Sequence, residues 1–429
     1  MPWDAVFLRR IRREFPAVER DPSGRRRAFL DNGAGTLVTR RAAEAEARAR
    51  VDRSANVGNV FPESKGAEAI ILEGRKAVAD LLNAEGPGTI ISGESATSLL
   101  FNLSYAIGRE CTGRENVAVM GYEHYANISP WEELVRAGKI REVRFVDFDL
   151  ETGYLDMDDL RELVDRDTKV VAAMAASNVL GTRSDLQRIG EIAHDAGAML
   201  VVDAVHHIAH GPTDVRAIGC DALVFSGYKL FSRHGSFLYL KPELIERLRP
   251  YKVDPSPPHG PEKWEWGTRD QAMFAAIRGS IGYLAWLGSP SSRTPPRPGR
   301  ERAARVRRAM EAIETYEAGL TKIMLEGDGG VRGLLDISGL TLYGPRETPA
   351  IGRDPTFSFK LAGHEDRDVS KRLWDRHALA VGAEDYYSRV PHVYGVETML
   401  RATFVHYNTR ADAVRLLTAL QEIATRSRR

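Results

Sequence analysis

Between positions 89 and 241 short apolar runs alternate with helix-like segments, and this alternation restricts the chain to a small set of folds. The runs are TIISG (89–93), NVAVMG (116–121), VRFVDF (143–148), VVAAMAA (170–176), AMLVVDA (198–204), ALVFSG (222–227) and SFLYLK (236–241). Runs this short, with little polar alternation, suit strands covered on both faces. Helical patterns lie between several of them. One is DLQRIGEIAHDAG (185–197), which ends on a glycine suited to a C-cap. Strands alternating with helices imply an α/β fold whose seven-stranded sheet is mainly parallel and wrapped by helices. The last two runs are joined by too little chain for a helix, so the sheet is expected to be mixed.

Proline, serine, glycine and arginine crowd the stretch GSPSSRTPPRPGR (288–300), which reads as a linker or exposed loop. The expected organisation is an N-terminal segment (1–40) packing with a small domain, a large domain (41–290), a linker (291–300) and a small α+β domain (301–429). In 301–326, Val306, Met310, Ile313, Tyr316, Leu320 and Met324 recur at helical spacing. Strand candidates follow at 340–344 and 356–361, the glycines of GDGGVRG (327–333) read as a loop, and the final RSRR as frayed. Lys+Arg 60 against Asp+Glu 59 gives no reason to expect a nucleic-acid or membrane partner. Two cysteines are too few for a disulfide framework and fit a reducing compartment. The apolar patch Ala5–Leu8 is too short for a signal peptide, and no apolar run is long enough to span a bilayer, so the expected location is cytoplasmic.

In open α/β sheets ligands sit at the carboxyl ends of the strands. Here those ends carry Ser92 and Gly93, Glu123 and His124, Ser177 and Asn178, Asp203 to His206, and Ser226 to Lys229. Alone, Asp203 reads as a helix cap and Lys229 as a surface lysine. Ser226 and Gly227 change that, because small residues let backbone and hydroxyl groups approach a phosphate. One strand–connection–strand unit separates Asp203 from Lys229, so both can reach one pocket. A lysine, a carboxylate, an aromatic base and a phosphate cradle are the parts that pyridoxal 5′-phosphate needs.

The segment VVDAVHHIAHGPTDVRAIGCDALVFSGYK (201–229) resembles the cofactor-binding core of class V aminotransferases, the group that includes cysteine desulfurases, selenocysteine lyases, kynureninases and isopenicillin N epimerases. Other landmarks occur in order over nearly the whole chain: FLDNGAG, SANVG, ATSLLFNL, EHYANISPW, SNVLGT, WEWGT and RATFVHYNT. With SANVG and SNVLGT the chain is most similar to a cysteine-desulfurase-like branch. The resemblance implies the type I pyridoxal-phosphate (aspartate aminotransferase-like) fold and a homodimer whose active site spans the interface. Lys229 would hold the cofactor as a Schiff base and move the Cα proton, Asp203 would face the pyridine nitrogen, and His124 would stack on the ring. Thr97, Ser98, Ser226 and Tyr228 would bind the phosphate, and Thr268 would reach the phosphate of the partner subunit. Asn178 and Arg401 would hold the substrate carboxylate, an arginine fork suiting that task. Asn56, Phe61, His207 and Tyr386 or Tyr387 are candidate pocket walls.

Three departures from the pattern bear on activity. Desulfurases carry sulfur on a loop cysteine, whereas 378–388 reads ALAVGAEDYYS, with Asp385 the nearest counterpart. His206 stands where desulfurases have glutamine beside the cofactor's phenolic oxygen, a feature closer to isopenicillin N epimerases, and a histidine there can change charge near neutrality. SGYK replaces SGHK, and the following FSRHG lacks the usual Gly-Pro. The expected reaction is a lyase-like β-elimination on a cysteine-type or other β-substituted amino acid. Aminotransferase and epimerase activities are the alternatives, and a non-catalytic scaffold or sulfur-transfer partner is the alternative of another class. The pattern D-x-x-H-H-x-x-H formed by Asp203, His206, His207 and His210 could suggest zinc. It falls in a strand-end turn with no glutamate placed as a base, so no metal is expected.

Overall fold

The computed structural model describes residues 3–289, 294–348 and 352–426. Part of the expected linker (291–293) and the end of RSRR lie outside these residues. Each apolar run forms a strand: β1 (Ile90–Gly93), β2 (Asn116–Met120), β3 (Glu142–Val146), β4 (Thr168–Met174), β5 (Met199–Asp203), β6 (Ala222–Ser226) and β7 (Ser236–Leu240). They make one seven-stranded sheet in the order β1-β7-β6-β5-β4-β2-β3. All neighbours are parallel except β7, which is antiparallel to β6 and β1. A parallel partner would need a crossover helix, and the short return from β6 to β7 has no room for one.

Alternate residues serve opposite faces of the sheet. Val171, Ala173, Leu200, Val202, Leu223 and Phe225 join one buried cluster, while Val170, Ala172, Val201 and Val224 join another. Both faces are therefore dry, which explains why the runs lack polar alternation. Helix α1 (Ala96–Gly108) covers the second face with Leu99, Leu100 and Leu103. Helix α2 (Gln271–Leu287) covers the first with Phe274, Ile277 and Ile281.

The boundary between the two cores lies inside helix α3 (Arg300–Glu326) and not in the preceding loop. Val306, Met310 and Ile313 belong to the large core, whereas Tyr316, Leu320 and Met324 belong to the small one. A continuous amphipathic stripe can serve two successive cores, so composition shifts at the loop while packing shifts further on. The small core backs a four-stranded antiparallel sheet in the order β8-β9-β11-β10, made of β8 (Leu340–Tyr343), β9 (Thr356–Leu361), β10 (Gly382–Glu384) and β11 (Met399–Thr403). The N-terminal segment touches both cores. Ala28 and Leu30 enter the small one beside Leu379, and Ile11, Phe15 and Val18 enter the large one. GDGGVRG forms a hairpin, with Gly329 and Gly330 at positive φ between the paired ends Gly327–Asp328 and Val331–Arg332. Among the described residues no helix is long and apolar enough to cross a membrane.

Candidate active site

The carboxyl ends of β2, β4, β5 and β6 open onto a cavity of about 280 Å³ that β10, β11 and the N-terminal segment close from the small-domain side. Thr97, His124, Asn178, Asp203, His206, Ser226, Tyr228, Lys229 and Arg401 all line it. The structure thus gathers these nine expected residues, from positions 304 apart in sequence (401 − 97), at one place.

Lys229 ends a single 3-10 turn, Gly227–Lys229, directly after β6. The turn needs Gly227, because a Cβ there would lie 2.7 Å from the Arg233 carbonyl. The lysine is 7 % exposed, and its Nζ donates to the Gly33 carbonyl. Gly33 is equally constrained, since a Cβ on it would meet Thr403 Oγ1 at 2.6 Å and the Arg401 guanidinium at 2.9 Å. Burial disfavours the ammonium, and the Arg401 charge adds to this, so the Lys229 pKa falls to about 7. A neutral amine is the form that condenses with an aldehyde.

Asp203 closes β5 at 3 % exposure and accepts a hydrogen bond from the Val205 N–H at 2.8 Å. Burial raises its pKa to about 6, against the opposing pull of that bond and of Lys229. His124 accepts from the Ala126 N–H at 3.0 Å through Nδ1, which places the proton of the neutral ring on Nε2. Burial, followed by the charges of Lys229 and Arg401, lowers its pKa to about 4, so the ring is uncharged at neutral pH.

The N-terminus of α1 borders the cavity through Ser95, Ala96 and Thr97. Ser98, expected in the phosphate cradle, is taken by the helix itself. Its Oγ accepts from the Ser95 N–H at 3.2 Å, and its own N–H donates to Ser95 Oγ at 3.0 Å, a capping box. Ser95 lines the cavity in its place. Ser226 Oγ is 2.7 Å from Ser236 Oγ across the β6–β7 pair, and the Tyr228 ring stacks on His234 with centroids 4.7 Å apart. Asn56, Phe61 and Thr268 are exposed and do not line the cavity of the single chain.

His206 differs from its expected behaviour. It is buried, with Nε2 2.9 Å from Thr356 Oγ1, and burial together with neighbouring His210 pushes its pKa well below the ordinary range. Both causes favour the neutral ring. His207 and His210 face away from the cavity toward carboxylates: His207 Nδ1 is 2.9 Å from Asp354, and His210 Nδ1 is 2.8 Å from Glu317. Among the described residues, one atom each of His206, His210 and Asp354 lie within 4.8 Å of one another, a group that shares only two histidines with the zinc-like spacing. Asp354 already takes hydrogen bonds from Arg183 and His207.

From the sequence Glu123 has only a place at a strand end, and Asp31 and Glu384 have no assignment. Glu123 is buried and accepts from the Met174 N–H and from Asn127 Nδ2, tying β4 to the His124 turn. Burial and the nearby Asp203 charge raise its pKa well above the carboxylate range. Asp31, in FLDNGAG, lies 3.5 Å from Arg401 Nη2. Glu384 lines the cavity from β10. Arg401 is 2 % exposed, donates through Nη1 to the Asn178 carbonyl at 2.9 Å and sits 3.7 Å over the Tyr386 ring. Tyr386 and Tyr387 both have positive φ, 58° and 50°, a strained pair bordering the cavity.

The donor set fits pyridoxal phosphate. A buried free amine, a buried carboxylate short of a countercharge, a flat neutral imidazole and a helix N-terminus meet at one cavity.

Comparison with known proteins agrees. Residues 28–286 match the model of the family described as aminotransferase class-V. A cysteine desulfurase of Pectobacterium atrosepticum is 30% identical over 97% of this chain and 98% of its own length. The apo structure of a cysteine desulfurase from Thermococcus onnurineus NA1 superposes with a TM-score of 0.84 at 23% identity, covering 97% of this chain and 98% of that one. A cysteine desulfurase from Escherichia coli gives 0.81 at 24%, covering 98% of each. The latter two establish the type I fold. Sequence match and fold together place the chain: it belongs to the class V aminotransferase family and is a pyridoxal-phosphate-dependent enzyme.

Proposed function

We propose that this enzyme removes the Cα proton of a small β-substituted α-amino acid and expels the β-substituent, a C–S lyase-like elimination. The observation that carries this reading is the 378–388 loop. It presents Tyr386 and Tyr387 to the cavity and has no thiol. Cys111 and Cys220 do not line the cavity, burial pushes the Cys111 thiol up to about 11, and it raises Cys220 as well. A thiol held neutral is a poor sulfur acceptor. With no nucleophile to capture sulfur, the β-substituent leaves with the Cβ bond pair.

Lys229 would carry the cofactor and then take the Cα proton on Nζ. Asp203 would hold the ring nitrogen protonated, and the α1 N-terminus with Ser95, Thr97, Ser226 and Tyr228 would hold the phosphate. Bound there, the cofactor supplies a sink for the electron pair left at Cα. Arg401, with Asn178 beside it, would orient the substrate carboxylate. His206 would serve as a hydrogen-bond partner of the cofactor's phenolic oxygen. Exposed Asn56, Phe61 and Thr268 would complete a second subunit's site in a homodimer. The exposed apolar side chains Val60, Phe61 and Trp266 on the same loops support that assembly.

Product identity tests the reaction. Pyruvate, ammonia and sulfide formed from L-cysteine in equal amounts are expected. Loss of optical activity without pyruvate would assign epimerisation, and dependence on a 2-oxo acid would assign transamination. No turnover of any amino acid by loaded protein would assign a scaffold.

A further inference from the structure

The small-domain side of the cavity carries one carboxylate, at the exposed end of β10. This is Glu384, and its side chain makes no hydrogen bond or ion pair with any described residue. Asp31 is close enough for the Glu384 charge to act on it. Burial raises the Asp31 pKa, Arg401 opposes the shift, and Glu384 adds to it. Asn178, which also lines the cavity, gives an amide hydrogen to the Tyr386 carbonyl at 3.2 Å, and its buried Oδ1 has no hydrogen-bond partner.

Arg401 is the cation on this side, and it is already partly committed, Nη1 to the Asn178 carbonyl and Nη2 toward Asp31. Its Nε is buried and unpartnered. An incoming α-carboxylate would claim that Nε and the remaining Nη hydrogens. The substrate's side chain would then meet Glu384, with no free hydrogen of Arg401 left to answer an anion there. An unpaired carboxylate repels a carboxylate or sulfinate and attracts an ammonium.

We propose that Glu384 makes this pocket selective for α-amino acids whose side chain ends in a cationic group. The inference rests on the cavity being the substrate site and specifies the class of substrate it takes.

The test uses the cofactor-loaded enzyme and two ligands of similar length and opposite charge, S-(2-aminoethyl)-L-cysteine and S-carboxymethyl-L-cysteine, with S-propyl-L-cysteine as neutral reference. Affinity is read from the change in the cofactor's visible absorbance, separately from pyruvate release. The aminoethyl compound should bind at least about tenfold more tightly than the carboxymethyl one, since like-charge juxtaposition is costly. Glu384→Gln should shrink that ratio to about threefold or less, and Glu384→Lys should invert it, with cofactor content unchanged in both. Equal affinities, a wild-type preference for the carboxymethyl compound, or binding of none of the three overturns the proposal. Pyruvate from L-cysteine in that same protein would leave the lyase reading intact, and its absence would count against that reading and not against the charge preference.

Discussion

At the scale of single residues the site is assembled from groups that the fold holds in unfavourable states. Lys229, with its pKa lowered to about 7, is half neutral where an exposed lysine is almost wholly charged. Cofactor uptake by the cofactor-free protein should therefore accelerate about tenfold per pH unit below pH 7 and level off above it. Stopped-flow absorbance checks this, and a rate still climbing at pH 9 contradicts it. Asp203 carries the opposite linkage. Its folded pKa of about 6 lies above its ordinary 3.8, so stability present below pH 3.8 is lost as pH rises through 6. Asp203→Asn should raise the Tm of cofactor-free protein at pH 7 and leave it nearly unchanged at pH 4, while weakening catalysis. Lys229, Asp203 and Arg401 were legible because each ends a strand or matches a motif. The roles of Glu123, Asp31 and Glu384 were not, because an acid in or near a motif shows its role only when a distant partner arrives, as Arg401 does for Asp31.

At the scale of elements, apolar runs and turn chemistry located the strands of both sheets except the short β10 and the motif-bearing β11. Those two are short or carry Arg401 within an apolar run, so neither shows a period of its own. The capping box of α1 illustrates a different limit. Sequence shows Ser95 and Ser98 at the spacing of an N-cap and N3, yet not which of the two faces the ligand. Ser95→Ala removes the cap and a cavity hydroxyl together. It should cost about 1 kcal/mol of stability and weaken cofactor binding. Ser98→Ala should cost stability with a smaller loss of binding, and calorimetric melting with and without cofactor separates the two. Helix α3 is the element on which both cores depend. Leu320→Ala, fully buried in the small core, should destabilise by about 2–5 kcal/mol, read by denaturant unfolding.

For the whole molecule, the sequence landmarks FLDNGAG and RATFVHYNT prove to hold the chain's beginning to its end. Asn32 Nδ2 donates to the Thr403 carbonyl at 2.7 Å, and Asn408 Nδ2 donates to the Phe29 carbonyl at 2.9 Å. That closure brings Gly33 to Lys229 and Asp31 to Arg401, a consequence of topology that no local pattern displays. The proposed homodimer would form through the exposed loops bearing Asn56, Phe61 and Thr268. Phe61→Asp combined with Trp266→Asp should convert a dimer to monomers with reduced cofactor content, as read by analytical ultracentrifugation and absorbance. The most direct test of the account is the visible spectrum of purified protein supplied with pyridoxal phosphate, beside Lys229→Ala. Wild type should show the absorbance band of a lysine-bound cofactor, shifting when amino acid is added, and Lys229→Ala should lack it. No band in wild type, or an unchanged band in Lys229→Ala, would contradict the assignment of Lys229 and the site built around it.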